Sequence, residues 1–163
     1  MSHSEPMVLF RRVPGAVRRA GLEEFACRLR RYLTRGRVFS CLIADDRELA
    51  RLNRQFLGKD YATDVLSFPA KRGQAGRKAT GTAPQIPGLP TLGDIAISRD
   101  RAVSQAREFG HPVNEEIRIL MLHGVLHLLG MDHERDGGAM ARAEAEWRSR
   151  LGLRNGLIER ASS

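Results

Sequence analysis

His123, His127 and His133 lie at H-x3-H-x5-H spacing within the run HGVLHLLGMDH, residues 123–133. Residues four apart share one face of a helix and sit ~6 Å apart along its axis, so the first two imidazoles can reach a single ion. Gly130 stands where a left-handed residue ends a helix and turns the chain back, which would bring in a third nitrogen from His133. Imidazole nitrogens bind zinc at ~2.0–2.1 Å, and three of them leave the fourth tetrahedral position open to water, as in catalytic sites. One zinc ion per chain is therefore expected, and acid should release it because the imidazoles must be neutral to ligate. A lone histidine in an apolar helix is ordinarily a satisfied core residue; three at this spacing, with a glycine between the last two, are what point to metal.

The spacing is also that of the metzincin peptidases, with one difference. Gly124 occupies the place where those enzymes carry a catalytic glutamate. With no carboxylate there to take a proton from water, peptide hydrolysis by that route is not expected.

The elements that must position these residues follow from periodicity. Ile117 to Leu129 is apolar at nearly every position yet too short to span a bilayer, so it reads as a helix buried on most sides. Helices are likewise expected over Leu22–Leu33, from an Asp45 cap with Glu48 closing a capping box through Leu49, Leu52 and Phe56, over Arg99–Phe109, and over Ala139–Leu151 with Met140, Ala143 and Trp147 inward. Strands are expected at Val8–Val13 as an edge, Val38–Ala44, Val65–Phe68 and Leu92–Ser98. Residues 70–91 are rich in Gly and Pro and carry Lys71, Arg72, Arg77 and Lys78 without an acidic residue, which reads as a mobile basic loop able to meet a polyanion. Cys27 and Cys41 lack ligand-like spacing and read as buried free thiols.

At 163 residues, 42% hydrophobic and 28% charged, the chain suits one globular domain spanning residues 1–163 and excludes a disordered or fibrous protein. Its start, MSHSEPMVLFRRV, has no basic segment followed by a long apolar run, and no stretch reaches the ~20 apolar residues of a membrane span, so a cytoplasmic protein with no membrane partner is expected. The formal net charge is +8, and residues 1–44 hold nine arginines against three glutamates. Such a surface attracts phosphate backbones, although arginine-heavy composition also serves solubility alone.

Four segments together, LNRQF at 52–56, GKDYATDVLSFP at 58–69, LGDIAIS at 92–98 and HGVLHLLGMDH at 123–133, resemble the YbeY family of bacterial endoribonucleases over most of the chain. The resemblance implies a single α/β or α+β domain with a mostly antiparallel or mixed sheet of about four strands packed against about five helices, and His123, His127 and His133 as metal ligands. It implies metal-dependent cleavage of single-stranded RNA in ribosomal RNA maturation, notably at the 3′ end of 16S rRNA, in ribosome quality control, and with the small ribosomal subunit as partner. Leu57 departs from it: the family has an arginine here, in a Tyr/Phe-Arg-Gly-Lys-Asp run, and Ala62 replaces the usual proline. An arginine there would grip a phosphate bidentately, which leucine cannot do. No catalytic residue is assigned on the sequence. Arg54, Lys59, Lys71 and Arg72 are candidate RNA contacts, Asp132 is a candidate partner for a ligating imidazole, and Thr63, Asp64 and Ser67 are candidates to line the cleft. The rival expectation raised by Leu57 is a zinc-bearing ribosome-binding assembly factor with weak or no nuclease activity.

Overall fold

Alternating inward residues on both faces of the strand Val38–Ala44 require cover on both sides, and the chain supplies it with helices. The computed structural model describes residues 7–11, 18–61, 63–70, 91–132 and 137–153. Four strands, β1 (Val8–Phe10), β2 (Val38–Ala44), β3 (Val65–Pro69) and β4 (Thr91–Ser98), form one mixed sheet in the order β1-β2-β4-β3. β1 and β4 flank β2 in parallel, and β3 closes the far edge antiparallel to β4. The helices are α1 (Arg19–Arg28), α2 (Asp46–Leu57), α3 (Arg99–Phe109), α4 (Val113–Leu128) and α5 (Ala139–Leu151).

Cys41, Ile43, Ile95 and Ile97 face a core completed by Leu22, Phe25 and Leu29 of the α1 segment, by α4, and by Met140 and Leu151 of α5. Leu42, Ala44, Leu66, Phe68 and Ala96 face the other side, where Leu49 and Leu52 of α2 cover them. Every residue of β2 is buried, the pattern of a parallel strand covered on both faces. Gly93 has φ 134°, and a Cβ there would lie 2.2 Å from the Phe68 carbonyl oxygen, so only glycine lets β3 and β4 approach at this point.

Local chemistry explains the boundaries. The Asp45 carboxylate accepts the Glu48 N–H at 2.9 Å and starts α2, whereas Glu48 turns away from the expected capping box to pair with Arg11 and Arg51. Ser98 caps α3 by accepting the Arg101 N–H at 3.1 Å. The α1 helix runs on through a wider turn, Leu29–Leu33, before Arg35 and Gly36 take positive φ and end it.

Two expectations are corrected. α4 begins at Val113, one turn before the apolar run, because Pro112 suits a position ahead of the first turn and Glu115 and Glu116 suit the positive helix terminus. Cys27 is exposed, since it falls off the stripe of Leu22, Phe25, Ala26 and Leu29; Cys41 is buried as expected, and burial pushes its thiol far up. Two of the three strand pairings are parallel, so of the two expected arrangements, mostly antiparallel or mixed, the mixed sheet forms. Residues 71–90 of the basic loop expected at 70–91, with Lys71 and Arg72, and also Ala62, His133 and the end of the first expected strand lie outside the described residues. No helix among the described residues is long and apolar enough to cross a membrane.

Candidate functional site

α4 passes through the main core with Ile117, Ile119, Leu120, Met121, Leu122, Val125 and Leu126 almost fully buried. On the same helix His123 is buried and His127 half-buried, and their rings meet edge to face with centroids 4.8 Å apart. The two Nε2 atoms face each other at 3.2 Å. The Gly130 N–H donates to the His127 carbonyl at 2.9 Å and the Met131 N–H to the Leu126 carbonyl at 3.1 Å, with Gly130 at φ 93°. That pair of bonds is the glycine-terminated helix end expected from sequence, and it turns the chain straight after His127.

Behind His123 stands a residue the sequence reading missed. Glu144 of α5 is 1% exposed, and its Oε2 lies 3.0 Å from His123 Nδ1. Its other oxygen, Oε1, is buried with no hydrogen-bond partner among the described residues. The signal was available: Met140, Ala143, Glu144 and Trp147 are spaced i, i+3, i+4 and i+7, which places one carboxylate on the inward face of an otherwise apolar stripe.

Gly124 has a steric cause. A Cβ at this position would lie 2.9 Å from Cγ2 and 3.1 Å from Cδ1 of Ile95, a side chain 1% exposed in β4. The helix is thus pressed onto the sheet where a peptidase would carry its glutamate, and no larger side chain fits without displacing the core. Ser67 of β3 donates its hydroxyl to the Gly124 carbonyl at 3.2 Å, tying the edge strand to the same helical turn.

The remaining candidates divide. Ser67 touches the histidine-bearing helix. Asp64 instead accepts from the Val65 N–H at 2.8 Å, the Thr63 hydroxyl at 3.4 Å and the Gln105 amide at 3.1 Å, organising the start of β3. Arg54 is on α2, which covers the opposite face of the sheet, and it pairs with exposed Asp60 at 3.6 Å. Leu57 and Lys59 are exposed at the end of that helix, and Asp132 is half-buried just beyond Met131. His133 lies outside the described residues, and among the described residues no group of three or more His, Cys, Asp or Glu forms a metal-holding cluster.

The donor set nevertheless fits a tetrahedral ion. Two nitrogens bound at ~2.0–2.1 Å to one tetrahedral zinc stand ~3.3 Å apart, close to the 3.2 Å between the two Nε2 atoms.

The family model described as endoribonuclease YbeY matches residues 22–152. A relative from Solibacter usitatus (strain Ellin6076), called endoribonuclease YbeY, is 54% identical over 156 residues, covering 96% of this chain and 95% of the relative. One of the same name from Koribacter versatilis (strain Ellin345) is 44% identical over 158 residues, covering 96% and 92%. The solution structure of a Thermotoga maritima protein superposes with a TM-score of 0.55 at 24% identity, over 88% of this chain and 93% of that one, a likeness of fold. The histidine motif on α4, the mixed sheet against which that helix packs and this similarity over nearly the whole length agree: the chain belongs to the YbeY endoribonuclease family.

Proposed function

We propose that this chain is a cytoplasmic, zinc-dependent endoribonuclease that cuts single-stranded RNA in ribosomal RNA processing, including maturation of the 16S rRNA 3′ end on the small ribosomal subunit. The observation that carries the reading is the convergence of His123 Nε2 and His127 Nε2 at 3.2 Å, in a chain of this family. His123, His127 and His133 would hold one zinc ion, which would supply a Lewis acid to polarise a phosphate oxygen of the scissile phosphodiester.

The protein's own residues have three tasks. The imidazoles must stay neutral and turned inward. The contact of Gly124 with Ile95 and the bond from Ser67 fix the helical turn that bears the histidines. The +8 charge draws the polyanion to the surface. No side chain is assigned as general base.

Cleavage of a single-stranded RNA by purified protein, with and without chelator and beside a His127→Ala variant prepared identically, tests the reading. Cutting by the wild type alone supports it, and equal cutting by all three overturns it. A second reading, a zinc-bearing ribosome-binding assembly factor with little turnover, is favoured by one observation: Leu57 stands in place of the family arginine and its side chain is 46% exposed with no phosphate-binding group.

A further inference from the structure

Glu144 is an anomaly as a purely structural residue. A carboxylate that is 1% exposed normally has several hydrogen bonds, yet one of its oxygens has no partner among the described residues and the other has His123. Burial of this kind is costly, and an apolar side chain in its place would complete the stripe that Met140, Ala143 and Trp147 already form. Something other than the packing of α5 on α4 must favour it.

The geometry points to a role exerted through His123. Glu144 Oε2 lies 3.0 Å from His123 Nδ1, and where the carboxylate accepts, that nitrogen bears the imidazole proton. The neutral ring then carries its lone pair on Nε2, the atom that faces His127 Nε2 at 3.2 Å. We infer that Glu144 is a positioning residue: it fixes the rotation and tautomer of the His123 imidazole so that Nε2 is presented as a ligand to a divalent cation. The inference rests on the metal reading proposed above and adds to it the residue that orients one ligand. A carboxylate accepting from the far nitrogen makes the near one a better electron donor, so Glu144 acts on affinity as well as on orientation.

The test is zinc affinity of the full chain, measured by competition with a chromophoric chelator, and not activity. Glu144→Ala is expected to weaken zinc binding about 10- to 100-fold. Glu144→Gln, which keeps the volume and a neutral acceptor, should fall between the two, and it carries the comparison if the alanine variant does not fold. A cycle with His123→Ala separates positioning from scaffolding. A residue that works through His123 costs affinity only while His123 is present, so Glu144→Ala should change nothing further in the His123→Ala background. A scaffolding residue would weaken both backgrounds alike and lower the melting temperature of the metal-free protein in step.

Wild-type affinity in Glu144→Ala, or in Glu144→Gln where that variant stands in, or equal losses in both backgrounds, would overturn the inference while leaving the zinc reading intact. A wild-type protein that binds no zinc would overturn both.

Discussion

His123 and His127 present their Nε2 atoms to each other at 3.2 Å across one turn of a helix that is otherwise core. Two ring nitrogens that close need a proton or a cation between them, and the zinc reading proposed above takes the cation.

Gly124→Ala should destabilise the protein by about 1–2 kcal/mol, since a Cβ 2.9 Å from Ile95 Cγ2 overpacks a closed core and outweighs the ~1 kcal/mol that alanine ordinarily gains over glycine in a helix. Urea denaturation midpoints would show it. A gain in stability would mean that α4 does not press on β4 as described.

Leu57→Arg should leave folding within about 0.5 kcal/mol of wild type, because the side chain is largely exposed at the end of α2. On the nuclease reading, RNA cleavage by this variant should stay within about tenfold of wild type. A gain of ~100-fold or more, the size expected for restoring a group that stabilises developing charge, would favour the assembly-factor reading.

Glu48 supplies the pH dependence. Burial pushes its carboxyl up, but the hydrogen bonds and charges of Arg11 and Arg51 outweigh that and hold it below the usual range. A carboxyl depressed in the folded state contributes stability above its unfolded pKa and loses it as pH falls through the folded value. Glu48→Gln should therefore cost about 0.5 kcal/mol near neutrality, given the exposure of both arginines. The difference from wild type should vanish in acid, as thermal melts across the acid range would show; a constant difference would assign the loss to packing.

Much of this arrangement was legible in the residues because it is local. β2, α2, α3 and α5 have the bounds that their periodicity and caps predict, and Gly130 ends α4 with the bonds expected of it. The parallel pairing of β1, β2 and β4 was not legible, since a strand buried on both faces looks alike whichever way its neighbours run. The need for glycine at 124 depends on Ile95, twenty-nine positions earlier, and only the packed structure brings them together. Glu144 was missed for the opposite reason: its place on the inner face of α5 was readable, but a charge there invites assignment to solvent.

The central claim is that cleavage depends on one ion held by the histidine cluster, and titrating zinc into chelator-treated protein while following single-stranded RNA cleavage tests it most directly. Activity should be absent without metal, rise in proportion to added zinc and stop at one equivalent per chain, with His127→Ala silent throughout. Full cleavage by the metal-free protein, or a His127→Ala variant that responds to zinc as the wild type does, would contradict the account.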